Sequence, residues 1–127
     1  MATMPMSPTD REARARAAVE ILGRQLRDHV RLHVDCARSH HLARVVETHE
    51  GLVYASTVGP HAHGSRDRVD VGHHGDRRPH AWYDLLEAHG LMADDALPAW
   101  CDCGARTLSR AALRAWVTAG ERRVVVD

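Results

Sequence analysis

Lysine, asparagine and phenylalanine are absent from this 127-residue chain, so all 17 of its basic residues are arginine. Their joint loss matches the codon bias of a GC-rich bacterial genome and carries little functional weight. Net charge is missing as well, because 17 basic residues balance 17 Asp and Glu. A general binder of nucleic acid or anionic membrane needs surplus cations to neutralise phosphates, so neutrality disfavours that class. No stretch approaches the roughly 20 apolar residues of a membrane span. Residues 1–20 also lack the apolar run of a signal peptide, since Arg11, Arg14 and Arg16 interrupt it. The expectation is a cytoplasmic protein with reduced cysteines. Aromatic residues make up only 4% of the chain, and much of its 44% hydrophobic fraction is alanine. Such a core is thin and calls for a staple. There is no Gly-rich phosphate loop, Ser–His–Asp arrangement, nucleotide fingerprint or fixed-period repeat.

What is present in excess is histidine, at 11 residues, together with three cysteines. An odd cysteine count in a reducing compartment fits ligands or reactive thiols better than a disulfide framework. Both observations point to metal chemistry.

The pattern predicts one domain over 1–127 and an α+β fold: an N-terminal helix, a small antiparallel sheet, and a C-terminal helix and strand. Ser7 or Thr9 caps a helix over 8–28, with Pro8 in its first turn. Ala15, Ala18, Val19, Leu22 and Leu26 form its apolar stripe, and Arg11 and Arg14 lie elsewhere on the cylinder. From Val30 to Cys36 the period becomes that of a strand, and Leu42–Thr48 and Leu52–Val58 read as a hairpin turning at His49-Glu50-Gly51. The region 30–58 thus carries a first knuckle and a hairpin. Residues 59–80 collapse to Gly, His, Arg, Asp and Pro and read as a loop. A short helix over 80–89 would use Trp82, Leu85 and Leu86. The segment 98–127 is expected to hold a second knuckle, a helix capped by Ser109 with a Leu108–Leu113 staple, and a final strand.

Two distant segments carry the strongest chemical signal. Cys36-Ala-Arg-Ser-His40-His41 lies between two predicted strands, and Cys101-Asp-Cys103-Gly104 lies in a turn ahead of a helix. A zinc knuckle needs two donors a few residues apart at a strand turn, and two knuckles complete a tetrahedron. Cys36, His40, Cys101 and Cys103 are therefore the predicted ligands of one structural Zn²⁺. Four filled positions leave no site for an activated water. His41, one residue further on, and His33, at H-x2-C spacing, compete with His40. They rank below it in that order, because strand alternation sets His33 and Cys36 on opposite faces.

On these residues the chain resembles the zinc-ribbon class over 32–58 and 98–104, about a quarter of its length. The segment Cys36-Ala37-Arg38-Ser39-His40-His41-Leu42-Ala43 is similar to Cys-x-x-Gly-His-x-Leu-Ala segments of small GC-rich bacterial proteins of unassigned function, with Ser39 at the glycine position. The second pair departs from the ribbon pattern in being C-x-C rather than C-x-x-C. The resemblance implies a closed metal site in a non-enzymatic interaction module, and neutral charge favours a protein partner over nucleic acid.

Other readings use other residues. His61, His63, His73, His74 and His80, with Asp67, Asp70 and Asp76, suit a metal-handling loop for Zn or Ni, or a small metal-dependent hydrolase. Cys101 and Cys103 could be a redox pair. Arg106, Arg110 and Arg114 fall at four-residue spacing along the C-terminal helix and form either a phosphate-contacting stripe or a solvated face.

Overall fold

The computed structural model describes residues 7–57, 81–87 and 96–126. The histidine-rich loop, with His61, His63, His73, His74 and His80, lies outside these residues. The architecture is α+β. Helix α1 spans Pro8–Leu22, a 3-10 turn Gly23–Gln25 follows, and α2 is the single turn Leu26–His29. Strands β1 (Val30–Cys36), β2 (His41–Thr48), β3 (Gly51–Thr57) and β4 (Ala81–Leu85) come next, then β5 (Ala96–Cys101), β6 (Gly104–Ser109), α3 (Arg110–Thr118) and β7 (Arg123–Val126). No helix among the described residues is long and apolar enough to cross a membrane.

The larger sheet has the order β4-β3-β2-β1-β7, and β5-β6 forms a separate hairpin. All pairs are antiparallel except β1 with β7, which run parallel in the register His33 to Arg123 through Cys36 to Val126. The sheet is therefore mixed where the sequence suggested an antiparallel one.

Both faces of this sheet are covered. On one side Leu32, Val34, Cys36, Leu42, Val45 and Tyr54 pack with Leu97, Ala99, Cys101, Leu108 and Leu113 from the β5–β6 hairpin and α3. On the other, Val30, Val46 and Val53 meet Ala15 and Val19 of α1. Leu32, Val34 and Cys36 of the alternating set thus face one core, whereas Val30 turns to the α1 side because the β1–β2 register shifts between Val30 and Leu32, and small residues on α1 let the helix lie close to the strands. Two side chains of β3 hold the hairpin down: the Tyr54 hydroxyl and the Ser56 hydroxyl donate to the Pro98 carbonyl at 2.7 and 2.8 Å. Burial, the larger influence, raises the Tyr54 hydroxyl well above the usual phenol range, so it stays protonated as a donor.

Three local expectations change. The predicted helix over 8–28 is interrupted at Gly23. The predicted short helix at 80–89 is, over its described part, strand β4 and a following turn, because Val53 to Thr57 of β3 supply it with backbone partners from Leu85 to Ala81. The arginine stripe dissolves: Arg106 belongs to β6 and Arg110 is buried at the start of α3. The cap itself is as expected, with Ser109 Oγ accepting the Ala112 amide at 3.1 Å, and Leu108 and Leu113 sharing one cluster.

Arg11 and Arg110 converge on Asp84, and all three are buried. Asp84 accepts from Arg11 Nε, from Arg11 Nη2 at 3.0 Å and from Arg110 Nη2 at 2.9 Å. Arg110 also donates to the carbonyls of Leu85 at 2.6 Å and Leu86 at 3.2 Å. One carboxylate thereby ties α1, β4 and α3 together. Arg11 lies one helical turn before Ala15, on the inward face of α1 rather than among its solvated residues.

Candidate metal centre

The first knuckle forms where β1 turns into β2. The Cys36 amide donates to the His40 carbonyl at 2.9 Å and the Ser39 amide to the Cys36 carbonyl at 2.8 Å, so residues 36–40 fold back on themselves. The reversal needs a left-handed residue, and Ser39 takes that conformation at φ 69°. A glycine there would take this conformation without a Cβ penalty. Relief of about 1–2 kcal/mol of left-handed strain, less about 0.4–1 kcal/mol from a freer unfolded chain, predicts that Ser39→Gly stabilises the protein by about 0.5–1 kcal/mol. Thermal melts of the two proteins side by side check this; an equal or lower midpoint for the variant refutes it.

The second knuckle is the tip of the β5–β6 hairpin. Cys101 pairs with Gly104 across a turn of only Asp102 and Cys103. A two-residue turn compels left-handed backbone nearby, and Gly104, at φ 126°, supplies it without a Cβ penalty. The tight C-x-C spacing works here because the turn itself swings Cys103 back over Cys101, with the Cys103 amide donating to Cys101 Sγ at 3.4 Å. The pair sits at a strand–strand turn, not directly ahead of a helix as the sequence suggested.

Packing of the hairpin on the sheet brings the two knuckles together. One donor atom from each of Cys36, His40, Cys101 and Cys103 lies within 4.8 Å of every other. Cys103 Sγ is 3.5 Å from His40 Nδ1. With metal–sulfur and metal–nitrogen bonds of about 2.3 and 2.0–2.1 Å, the sulfur–nitrogen edge of a tetrahedron is about 3.5 Å. That distance would also suit a thiol–imidazole hydrogen bond, but two further sulfurs within reach make the group a four-donor cage. Cys36 and Cys101 are buried, at 2% and 0% exposure, whereas His40 is half-buried and Cys103 exposed.

Backbone amides prepare the sulfurs for negative charge. The Arg38 and His40 amides donate to Cys36 Sγ at 3.3 and 3.4 Å. Burial pushes the Cys36 thiol up, but those two amides, with Cys101 and Cys103, outweigh it and leave the thiol below its ordinary value. Cys103 moves the opposite way, raised first by desolvation and then by its neighbours Cys101 and Cys36. Three sulfurs this close ionise together only when a cation joins them. None of the three cysteines is in a disulfide.

The competing histidines lie outside the four-donor group. His41 Nδ1 lies 3.2 Å from Asp35 Oδ1, and the Arg123 guanidinium binds the other carboxylate oxygen. His33 stands between Arg44 of β2 and Arg123 of β7 in the strand register. Burial and then Arg123 lower its pKa, which leaves the ring neutral at pH 7. Arg106, which the sequence places on the C-terminal helix, lies instead beside the sulfurs, with its Nη2 4.0 Å from Cys101 Sγ. Its signal was alternation, since Arg106 shares a strand face with Leu108.

No protein-family model matches the chain, and no curated protein or solved structure is detectably similar to it.

Proposed function

We propose that the chain is a non-enzymatic, zinc-ribbon-like protein in which Cys36, His40, Cys101 and Cys103 hold one structural Zn²⁺. The observation that carries this reading is the convergence of four donors, from two turns some 60 residues apart in sequence, within 4.8 Å of one another. A set of three sulfurs and one imidazole at tetrahedral spacing suits zinc above harder cations. Four protein donors also fill the coordination shell, so no position remains for the activated water that a hydrolase requires. The bound ion would supply a cross-link between the two turns, and the residues supply donors, amide hydrogen bonds and cover.

The module's partner is proposed to be a protein. Two of the cations that could have met phosphates are committed inside the fold, Arg110 to Asp84 and Arg106 beside Cys101, and the formal net charge is zero. The cytoplasmic setting proposed for the protein accords with three unpaired thiols.

Metal analysis of purified, untagged protein tests the central point. One zinc per chain is expected, lost on Cys101→Ala and strongly reduced on His40→Ala, but retained by His41→Ala and His33→Ala. Folded protein containing no metal and three freely titrating thiols would rule the reading out. Metal beyond one equivalent, removed by His61→Ala and His63→Ala, would instead favour the metal-handling alternative.

A further inference from the structure

Arg106 occupies a place where a cation is out of keeping with its surroundings. Pairing of Cys101 with Gly104 and of Ala99 with Arg106 sets it on the inward face of the hairpin. Its neighbours on that face are the buried Leu97, Ala99, Cys101 and Leu108. An apolar side chain would pack there at no electrostatic cost. The guanidinium instead leaves Nε and Nη1 buried without a hydrogen-bond partner, and its remaining nitrogen, Nη2, lies 4.0 Å from Cys101 Sγ. Buried donors without partners are strongly unfavourable, and more so when they carry charge. No carboxylate among the described residues forms a salt bridge with Arg106.

The chemistry of the four-donor site supplies the missing partner. Three thiolates, a neutral imidazole and a divalent ion sum to a single negative charge, held against a low-dielectric core. One guanidinium cancels it. The protonated thiols of the metal-free protein offer Arg106 only weak acceptors, whereas thiolates on a metal are strong acceptors of N–H donors. We infer that Arg106 is the built-in counter-cation of the metal–thiolate centre, a positioning residue that acts through the Cys101 sulfur to raise metal affinity. The inference rests on the metal reading above and adds to it a residue outside the ligand set.

This role has a signature that ordinary packing lacks: the effect of removing the charge changes sign with metal occupancy. Arg106→Met keeps much of the side chain's length and apolar stem. In the metal-free protein it removes two buried nitrogens that have no hydrogen-bond partner, so the melting midpoint should equal or exceed that of the metal-free wild type. With zinc as the probe, titrated in competition with a chromophoric chelator, the same variant should bind about tenfold or more weakly. Arg106→Lys should recover part of that loss, because charge rather than shape is at issue. With cobalt as a spectroscopic substitute, the thiolate-to-metal absorption of Arg106→Met should shift relative to the wild type. Wild type binding one zinc, with Arg106→Met binding it equally tightly, would overturn the counter-cation role and leave the metal site standing. Equal losses for Met and Lys, with the metal-free Met variant also destabilised, would reduce Arg106 to a packing residue. A wild type that binds no zinc would remove the premise together with the inference.

Discussion

Stripping the proposed zinc ion with a strong chelator is expected to lower the thermal midpoint by about 10 °C or more. A loss of even about 3 kcal/mol, at roughly 3–5 °C per kcal/mol for a chain of this size, gives that shift. Structural zinc is worth more than this in isolated small modules, where binding and folding free energies are one quantity. The loss should be local at first. The β5–β6 hairpin has Tyr54 and Ser56 anchoring its middle at Pro98, but without the ion its tip meets the β1–β2 turn mainly through the cysteine and histidine side chains themselves. Amide exchange should therefore accelerate at residues 36–40 and 101–104 before it does under α1. Because binding displaces thiol protons, affinity should fall as the pH drops from about 8 to about 6, more steeply than for a single ionising group. Melts with and without chelator, and after zinc is restored, check this. Superimposable curves would show that the ion, if bound, is not a staple.

Loss of Asp84 is the second large effect. Asp84→Ala leaves Arg11 and Arg110 facing each other in the core with their shared carboxylate gone, and a destabilisation of about 3–5 kcal/mol follows. That is a large part of the roughly 5–15 kcal/mol that holds a domain together. The same network replaced as a whole, Arg11→Met with Asp84→Leu and Arg110→Met, should cost far less, because two desolvated cations leave together with their counter-ion. Urea denaturation of the metal-loaded proteins distinguishes the two cases. A mild effect of Asp84→Ala alone would mean that water reaches the arginines. Neither variant should change metal stoichiometry, since the network lies outside the four-donor group.

The contrast between these two sites explains what the sequence made legible. The four clustered donors announce themselves through short-range spacing, C-x3-H and C-x-C, together with glycine after the second pair. Strands β1 to β3 and the Ser109 cap are likewise local patterns. Asp84 and its arginines carry no such mark: Arg11 and Arg110 stand 73 and 26 residues from their partner. An arginine without a visible partner is read as solvated. Strand β4 reads as a helix in the sequence because Trp82, Leu85 and Leu86 fit either period over so short a run, and only the edge of β3 decides it. The parallel pairing of β7 with β1 is invisible for a similar reason, since nothing within four residues specifies its neighbour. Arg106 reads as helical in the sequence because Pro98 obscures the hairpin that places it on a strand.

The placement of the two knuckles, one on each side of a long intervening segment, has a consequence for how the protein would respond to its surroundings. The proposed zinc bridge from residues 36–40 to residues 101–103 would close the same kind of loop as a disulfide, but it would be governed by mass action instead of redox poise. In excess metal, each tenfold change in free zinc alters stability by about 1.4 kcal/mol. The folded population would then track the availability of the ion, and a cell that starves for zinc would loosen this protein without reducing a single bond.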